Sequence, residues 1–152
     1  MKKVIWGVLS TAKIGRERVL PGMLKSGLLE IRAIGSRDEA RGRAAADALG
    51  IPRAYGSYEA LLADPEIEAI YNPLPNHLHV PLTLQAATAG KHVLCEKPIA
   101  LTADEATQLR AAAGKVLIAE AFMVRFHPQW LRARELVREG RIGTLRAVQM
   151  FF

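Results

Sequence analysis

The first residues of a type suited to holding a charged ligand follow the apolar run 3–9. The chain continues there as Ser10-Thr11-Ala12-Lys13-Ile14-Gly15. Ser10, Ala12 and Gly15 fall at the spacing of a G-x-G-x-x-G turn, with Gly15 as the glycine that is retained. Small residues let the backbone approach a pyrophosphate, and a helix beginning here directs its N–H groups at the anion. We therefore predict that Ser10, Thr11, Ala12 and Ile14 bind a dinucleotide. The alternative is a tight turn in another α/β protein.

The second candidate group lies at the end of the second apolar run, where the sequence is Gly35-Ser36-Arg37. An NAD-binding fold commonly carries an acid here for the adenosine ribose hydroxyls, whereas a hydroxyl and an arginine suit the 2′-phosphate of NADP. Arg41 belongs to the same basic group and is predicted to contact the cofactor, while Asp38 is expected to cap the following helix. NADP is therefore favoured over NAD. A solvated arginine at a helix start is the alternative for Arg37.

A third group, Glu96-Lys97-Pro98, follows the apolar run 91–95. Ligands of open α/β sheets bind beyond the carboxyl ends of the strands, so Lys97 is predicted to face the bound cofactor. A lysine there can act as an acid or donate a hydrogen bond to a reacting hydroxyl. An exposed Glu96–Lys97 salt bridge is the alternative. For Cys95 a buried structural role is favoured over that of a nucleophile.

The proline-rich segment 72–76 interrupts the chain after the fourth apolar run and leads to His77 and His79. No carboxylate or thiol nearby completes a set of metal ligands, so no metal site is predicted. His79 is instead predicted to face the pocket, because this loop leaves the carboxyl end of a strand. His127, just before Pro128, is a candidate helix cap.

The elements that would position these groups alternate along the chain as strand and helix. Continuous apolar runs predict strands buried on both faces, and the alternation predicts a doubly wound parallel sheet covered by helices on both faces. Strands are predicted at 3–9, 29–35, 53–55, 67–71, 91–95, 116–119 and from 145. Helices are predicted at about 14–25, 36–50, 57–63, 80–89, 102–113 and 128–140. Pro21 should kink or shorten the first helix. The spacings Ser36/Glu39 and Thr102/Glu105 predict capping boxes.

Composition narrows the class of protein. The chain has 152 residues, and 21 basic against 15 acidic side chains give a net charge of +6. These basic residues are dispersed and aromatic residues make up 6%, which argues against a nucleic-acid partner. The single cysteine excludes a disulfide framework. No apolar stretch approaches the ~18 residues of a membrane span. A cytoplasmic protein without a membrane partner is expected.

Taken together, the segments resemble the glucose–fructose oxidoreductase and inositol dehydrogenase (Gfo/Idh/MocA) family. The resemblance is carried by residues 6–15, 36–37, 71–79, 96–98 and 120–128, and the Ser-Thr-Ala turn is most similar to the branch with NADP-dependent xylose and dihydrodiol dehydrogenases. It implies that Lys97 contacts the substrate hydroxyl and that Glu96 helps to place the nicotinamide ribose. It also implies that residues around Pro75, Asn76 and His79 line the cofactor cleft and that Arg125 is a pocket residue.

The resemblance also implies how the chain is organised and what it does. Residues 1–125 would form the NAD(P)-binding Rossmann domain. Residues 126–152 would form a connecting helix and the first strand of a truncated substrate domain. Independently of the resemblance, a homo-oligomer is expected, because the strand predicted from 145 has apolar side chains on both faces and unpaired N–H and C=O groups. The implied reaction is hydride transfer between NADP and a carbinol carbon of a sugar or cyclic diol, with this chain alone inactive. A non-catalytic dinucleotide-binding or regulatory module is the alternative. A methyltransferase of the same topology is disfavoured, because Ser36-Arg37 replaces the acid that commonly holds a ribose.

Overall fold

The fold is an α/β sandwich built on one parallel sheet. A computed structural model describes residues 2–151. In that range the strands are β1 (Val4–Leu9), β2 (Leu29–Gly35), β3 (Arg53–Tyr55), β4 (Ala69–Asn72), β5 (His92–Cys95) and β6 (Ile118–Glu120). The helices are α1 (Leu20–Met23), α2 (Glu39–Leu49), α3 (Tyr58–Leu62), α4 (His79–Thr88), α5 (Ala103–Ala112) and α6 (Pro128–Arg138). Shorter helical turns precede α1 (Gly15–Val19), α4 (Asn76–Leu78) and α6 (Met123–Arg125).

The strand order confirms the predicted Rossmann-type fold. Neighbouring strands pair in parallel in the order β3-β2-β1-β4-β5-β6. The chain runs outward from β1 to one edge and then returns to add β4 on the other side of β1. This reversal makes the β1/β4 boundary the topological switch point, the place where open α/β sheets bind ligands.

Both faces of the sheet are buried, as the continuous apolar runs predict. Consecutive side chains of a strand point to opposite faces, and Val8 and Leu9 of β1 accordingly belong to two different core clusters. Leu9 packs with Leu61 and Ile70, while Val8 packs with Ile34 and Tyr71, and all of these side chains are buried. A sheet covered on both sides in this way supports loops at its strand ends.

Two glycines let α3 approach the sheet closely. A Cβ atom on Gly7 would lie 2.8 Å from Leu61 Cδ2, and one on Gly35 would lie 3.1 Å from Leu61 Cδ1. Leu61 therefore occupies the space that side chains at both strand positions would need. The glycines set the distance between α3 and the carboxyl ends of β1 and β2.

The N-terminal ends of α2 and α5 test the two capping boxes predicted from the sequence. The N-cap of α2 is Asp38, whose side chain accepts from the Arg41 N–H, so the predicted Ser36/Glu39 capping box is wrong. Ser36 Oγ instead accepts from the Asp38 N–H at 3.2 Å, since Ser36 lies two residues before the N-cap. The Thr102/Glu105 prediction is confirmed for the N-cap of α5, where Thr102 Oγ1 accepts from the Glu105 N–H. The Glu105 carboxylate accepts from the Leu101 N–H rather than from that of Thr102, so the reciprocal bond of the box is shifted by one residue.

The first helix shows the disturbance predicted for Pro21. Residues Gly15–Val19 form a wider π-type turn that passes directly into α1, and Pro21 lies within the first two residues of α1. Proline has no N–H and its ring clashes with the preceding turn of a regular helix, so a widened turn just before it accommodates the ring. The helix nevertheless continues to Met23.

The described chain divides into two compact units, residues up to Ala121 and residues from Phe122. In the second unit α6 begins at Pro128, and His127 caps it by accepting from the Gln129 N–H. The strand predicted from residue 145 is not formed in residues 145–151, where no ladder is present, because a strand needs a hydrogen-bonded neighbour. Phe152 lies outside the described residues. Within residues 2–151 no helix has the length and apolar character needed to cross a membrane.

Candidate functional site

A cavity of about 610 Å³ opens beyond the carboxyl ends of β1, β2, β3 and β4. Seven of the residues predicted to bind the cofactor line it, namely Ser10, Thr11, Ala12, Ser36, Arg37, Arg41 and Pro75. The topology brings these residues together, because parallel strands end at the same edge of the sheet and their following loops converge there. The cavity therefore unites the two groups that follow β1 and β2 in sequence.

The turn after β1 is shaped by Ser10. Its φ is 74°, in the left-handed region, and among the described non-glycine residues it alone has a positive φ. The Ser10 N–H donates to the Gly35 carbonyl at 2.7 Å, and Ser10 Oγ accepts from the Ala12 N–H at 3.2 Å. These two hydrogen bonds hold a conformation that glycine adopts more readily. Ser10 thus takes the place of the first glycine of the turn.

Gly15 allows the following helix to lie close to β4. A Cβ atom there would be 3.4 Å from Tyr71 Cε1 and 3.5 Å from Pro73 Cγ. These are ordinary van der Waals distances, so the start of this helix lies in contact with the residues at and after the end of β4. The close approach fits the role of the last glycine in a phosphate-binding turn.

The charges around the cavity favour an anion. Lys13, Arg16, Arg37 and Arg41 line it together with one acid, Asp38. None of the four cations forms an ion pair within residues 2–151. Asp38 Oδ1 is occupied by the Arg41 N–H at 3.0 Å. The arrangement can therefore bind a ligand that carries several negative charges, such as phosphate groups.

Several lining residues were not predicted as ligand contacts. Lys13 and Arg16 do carry a sequence signal, because cations in the first turn of a helix oppose the helix dipole and an anionic ligand would offset that. Tyr58 at the start of α3 and Leu74 after β4 also line the cavity. Their sequence surroundings carry no such signal, since only the fold brings them to the turn after β1.

A second cluster lies at the ends of β4 and β5. The Tyr71 hydroxyl donates to Glu96 Oε1 at 2.8 Å, and the Lys97 N–H donates to Glu96 Oε2 at 3.3 Å. Burial, together with the Glu96 carboxylate, raises the pKa of Tyr71 well above its usual range. Tyr71 therefore stays protonated and remains a donor to Glu96.

The segment that carries Lys97 is fixed by side chains from two further elements. His79 Nδ1 lies 2.7 Å from the Pro98 carbonyl oxygen, and the Ile99 N–H donates to Glu120 Oε1 at 2.9 Å. Lys97 itself is exposed. Its ammonium group is free of ion pairs among the described residues. The backbone around Lys97 is held while its side chain can reach a ligand.

His79 does not face the pocket as predicted. The side chain is buried, and Nε2 lies 2.7 Å from the Leu74 carbonyl oxygen while Nδ1 is engaged by Pro98. The ring supports the loops behind the cavity because α4 begins at His79 and turns it inward. Asn72, also buried, donates to the His79 carbonyl and accepts from the Leu74 N–H.

The remaining predicted residues are distributed as follows. Ile14 is exposed and does not line the cavity, and Asn76 is exposed at the start of a short helical turn. Arg125 belongs to the second unit. Cys95 is buried in β5, and burial raises the pKa of its thiol to about 12. That burial fits the structural role favoured for Cys95. Among residues 2–151 no group of three or more His, Cys, Asp or Glu side chains could hold a metal ion.

Comparison with known proteins gives the same outline. Residues 4–118 match the family described as "Oxidoreductase family, NAD-binding Rossmann fold" (Gfo/Idh/MocA). A D-xylose 1-dehydrogenase (NADP(+)) of Haloferax volcanii is 52% identical over 151 residues, which are 98% of this chain and 46% of that protein. An uncharacterised oxidoreductase of Rhizobium meliloti is 53% identical over a match 155 residues long, which covers 100% of this chain and 46% of that protein. The chain thus spans about half the length of these curated relatives.

Among solved structures, a 3-ketoreductase from Actinomadura kijaniata in complex with NADP is similar in fold. Its TM-score is 0.86 at 36% sequence identity, and the match covers 93% of this chain and 46% of that one. A myo-inositol 2-dehydrogenase from Lactobacillus plantarum has a TM-score of 0.84 at 24% identity, over 94% of this chain and 43% of that one. The latter likeness concerns the fold alone.

Proposed function

Because the chain belongs to the Gfo/Idh/MocA oxidoreductase family, we propose that it forms the NADP-binding part of an enzyme that oxidises or reduces sugars or cyclic diols. The observation that carries the proposal is the cavity at the strand ends, which Arg37 and Arg41 line together with the turn after β1. That position is where Rossmann folds bind dinucleotides. The names of relatives, which include an NADP-dependent xylose dehydrogenase and a dihydrodiol dehydrogenase, support the reaction class.

The residues around the cavity fit a dinucleotide. Ser10 holds the left-handed turn, and Ser10, Thr11, Ala12 and Lys13 line the cavity. A volume of about 610 Å³ lies within the usual range for cofactor sites, about 300–1,000 Å³. Lys13 and Arg16 supply positive charge beside this turn. These residues would hold the pyrophosphate.

The end of β2 supports NADP over NAD. Ser36 and Arg37 follow the strand directly, and Arg41 lies one helical turn further on. Asp38, the one acid in the lining, is the N-cap of α2 and accepts from the Arg41 N–H with Oδ1. A guanidinium forms charge-assisted hydrogen bonds with a phosphate. Ser36, Arg37 and Arg41 would therefore bind the 2′-phosphate.

Lys97 is the residue we assign to the reacting oxygen. When bound, NADP supplies the nicotinamide carbon that accepts or donates the hydride. In the reducing direction the Lys97 ammonium group would donate a hydrogen bond to the substrate carbonyl oxygen, stabilise the negative charge that develops there as the carbon receives the hydride, and give that oxygen its proton. Glu96 would face the nicotinamide ribose, and Asn76 would line the cofactor cleft. Contact of Arg125 with the pocket and a homo-oligomeric state stay predictions.

Calorimetric titration of the chain tests the proposal. Three ligands separate binding of the 2′-phosphate from binding of the nicotinamide half: NADP, NAD and adenosine 2′,5′-bisphosphate. The bisphosphate retains the adenine ribose and the 2′-phosphate and lacks the nicotinamide half. We expect NADP and the bisphosphate to bind with 1:1 stoichiometry and NAD to bind more weakly. If neither NADP nor the bisphosphate bound, or if NAD bound more tightly than NADP, the assignment of the cavity to NADP would be overturned.

A further inference from the structure

Tyr71 connects two parts of the site that lie far apart in sequence. Its side chain is completely buried, and its ring packs under the helix that follows the phosphate-binding turn, 3.4 Å from a Cβ position on Gly15. Its hydroxyl reaches the opposite way, to Glu96 Oε1 at 2.8 Å. One buried ring therefore spans the space between the turn after β1 and the segment of Lys97.

Glu96 is held in place from two directions. Its N–H donates to the Asn72 carbonyl at 2.9 Å, which extends the β4–β5 ladder by one bond. Its carboxylate receives the Tyr71 hydroxyl on one oxygen and the Lys97 N–H on the other. An ionised carboxylate offers about four acceptor positions, so about two remain for a ligand. Without the Tyr71 hydroxyl, the carboxylate could rotate away from its present orientation.

The location of Glu96 indicates which ligand groups it would meet. Dinucleotides lie across the switch point, with the pyrophosphate at the turn after β1. The adenosine half extends toward β2, where Arg37 and Arg41 lie. The other half must then extend toward β4 and β5, where Glu96 follows the strand end. The hydrogen-bond donors on that half are the hydroxyls of the second ribose and the amide N–H groups of the nicotinamide. The ribose is joined directly to the pyrophosphate, so its hydroxyls are the donors that a carboxylate next to the switch point would meet first.

We propose that Tyr71 is a positioning residue: its buried hydroxyl orients the Glu96 carboxylate to accept hydrogen bonds from the nicotinamide ribose of NADP. This inference rests on the proposed function. It concerns only the nicotinamide half of the ligand, so the adenosine half serves as an internal control.

The test is calorimetric titration of the Tyr71→Phe chain with NADP and with adenosine 2′,5′-bisphosphate. Phenylalanine keeps the ring that packs near Gly15 and removes the hydroxyl alone. We expect NADP to bind about three- to tenfold more weakly, the size of effect that one lost hydrogen bond produces. Binding of the bisphosphate should be unchanged, because it lacks the nicotinamide ribose. A tyrosine with a merely structural role would weaken both ligands together.

Tyr55→Phe is the matched control. The Tyr55 hydroxyl also donates to a carboxylate, Asp64 Oδ2 at 2.8 Å, outside the residues that line the cavity. This variant should bind both ligands like the wild type. If it showed the same selective loss of NADP affinity, the effect would not depend on Glu96 and the proposal would be wrong.

Glu96→Gln supplies a second, independent test that keeps Tyr71 in the core. It should also weaken NADP and leave the bisphosphate unchanged. Adding Tyr71→Phe to it should weaken NADP no further, because the two side chains act as one unit. Equal losses for both ligands, fully additive losses, or unchanged NADP affinity in both single variants would each overturn the proposal. If the wild type bound neither ligand, the proposed function would fail and this inference with it.

Discussion

The carboxylate of Asp38 accepts a hydrogen bond from the Arg41 N–H at 3.0 Å, which fixes the first turn of α2. The cap has a second effect on the site. It engages the one acid that lines the cavity, while the guanidinium groups of Arg37 and Arg41 stay free of ion pairs among the described residues. The cavity is basic because Lys13, Arg16, Arg37 and Arg41 line it against this one acid, which keeps its charge while it caps the helix.

Arg37→Ala should reduce the preference for NADP. A charge-assisted hydrogen bond contributes about 1.5–3 kcal/mol, so we expect NADP to bind roughly ten- to a hundredfold more weakly. NAD affinity should change little, because NAD lacks the 2′-phosphate. Arg18→Ala is the matched control: it removes the same charge from an exposed position outside the cavity lining. Calorimetric titration of each of the two variants with NADP and with NAD measures the four affinities. An undiminished NADP preference in Arg37→Ala would contradict the role of this residue.

The stability of Ser10 variants should depend on how readily the new residue adopts the left-handed backbone conformation. Glycine adopts a φ near 74° without strain, whereas a β-branched side chain there is strained by about 1–3 kcal/mol. We expect Ser10→Val to lower the free energy of unfolding by that amount and Ser10→Gly to stay within about 1 kcal/mol of the wild type. Urea denaturation followed by circular dichroism measures both. Equal stability of the two variants would show that the turn relaxes to another conformation.

Gly7→Ala should destabilise the core. The added Cβ would lie 2.8 Å from Leu61 Cδ2 and 3.0 Å from Ile67 Cδ1, and both side chains are buried. Overpacking of this kind costs about 1–3 kcal/mol. Gly27→Ala is the control, because a Cβ there meets no atom within 4 Å. Thermal unfolding should separate the two variants, and a wild-type melting temperature for Gly7→Ala would count against the close packing described for α3.

Asp64 should contribute a part of the stability that depends on pH. Burial alone would raise the pKa of this carboxyl, but hydrogen bonds from the Glu66 N–H, the Tyr55 hydroxyl and Arg53 outweigh burial and lower it. Its folded-state pKa is therefore below the ordinary 3.8. The contribution is complete above that value and is lost as pH falls through the lower, folded-state pKa.

Comparison of Asp64→Asn with the wild type isolates that contribution. At pH 7 the variant should be about 1–3 kcal/mol less stable, because it loses charge-assisted hydrogen bonds. The difference should shrink as the pH is lowered below 3.8, since the wild-type carboxyl then becomes protonated too. Urea denaturation at a series of pH values measures it. A difference that stays constant down to the most acidic of them would rule out ionised Asp64 as its source.

Turnover should separate cofactor binding from catalysis. The chain spans about half the length of the relatives it matches, and loss of substrate orientation alone can remove about 7–11 kcal/mol of barrier lowering. We expect the 152-residue chain to bind NADP without oxidising aldoses or cyclic diols, as followed by nicotinamide absorbance. Turnover that disappears in Lys97→Met would show instead that these residues already form a complete active site.

The parts of the fold that depend on local chemistry can be predicted from the sequence. The strand predicted at 29–35 is β2, and the helix predicted at about 36–50 is α2, whose C-cap Gly50 adopts the left-handed φ of 67°. The turn after β1 is recognisable although two of its glycines are replaced, because the small residues keep their spacing. Ser36, Arg37 and Arg41 line the cavity as expected, since the end of a strand and the first helical turn after it are neighbours in any such fold.

The predictions that the structure contradicts depend on contacts between segments that are distant in the sequence. The burial of His79 depends on the carbonyl groups of Leu74 and Pro98, and nothing near His79 in sequence shows that they will enclose its ring. The strand predicted from 145 fails in residues 145–151 for a related reason. Apolar alternation predicts the tendency to form a strand, but only a partner strand can supply its hydrogen bonds.

Because Cys95 is buried, the rate at which a reagent labels its thiol reports how often the sheet opens around β5. Cys95 is the single cysteine of the chain, it lies in β5 immediately before Glu96, and its side chain is inaccessible to solvent. A thiol reagent can therefore react only when β5 separates from its neighbours, so the labelling rate measures the free energy of that opening. Any ligand that binds the closed sheet must slow the labelling by mass action. Ligand affinity can thus be measured without introducing a label.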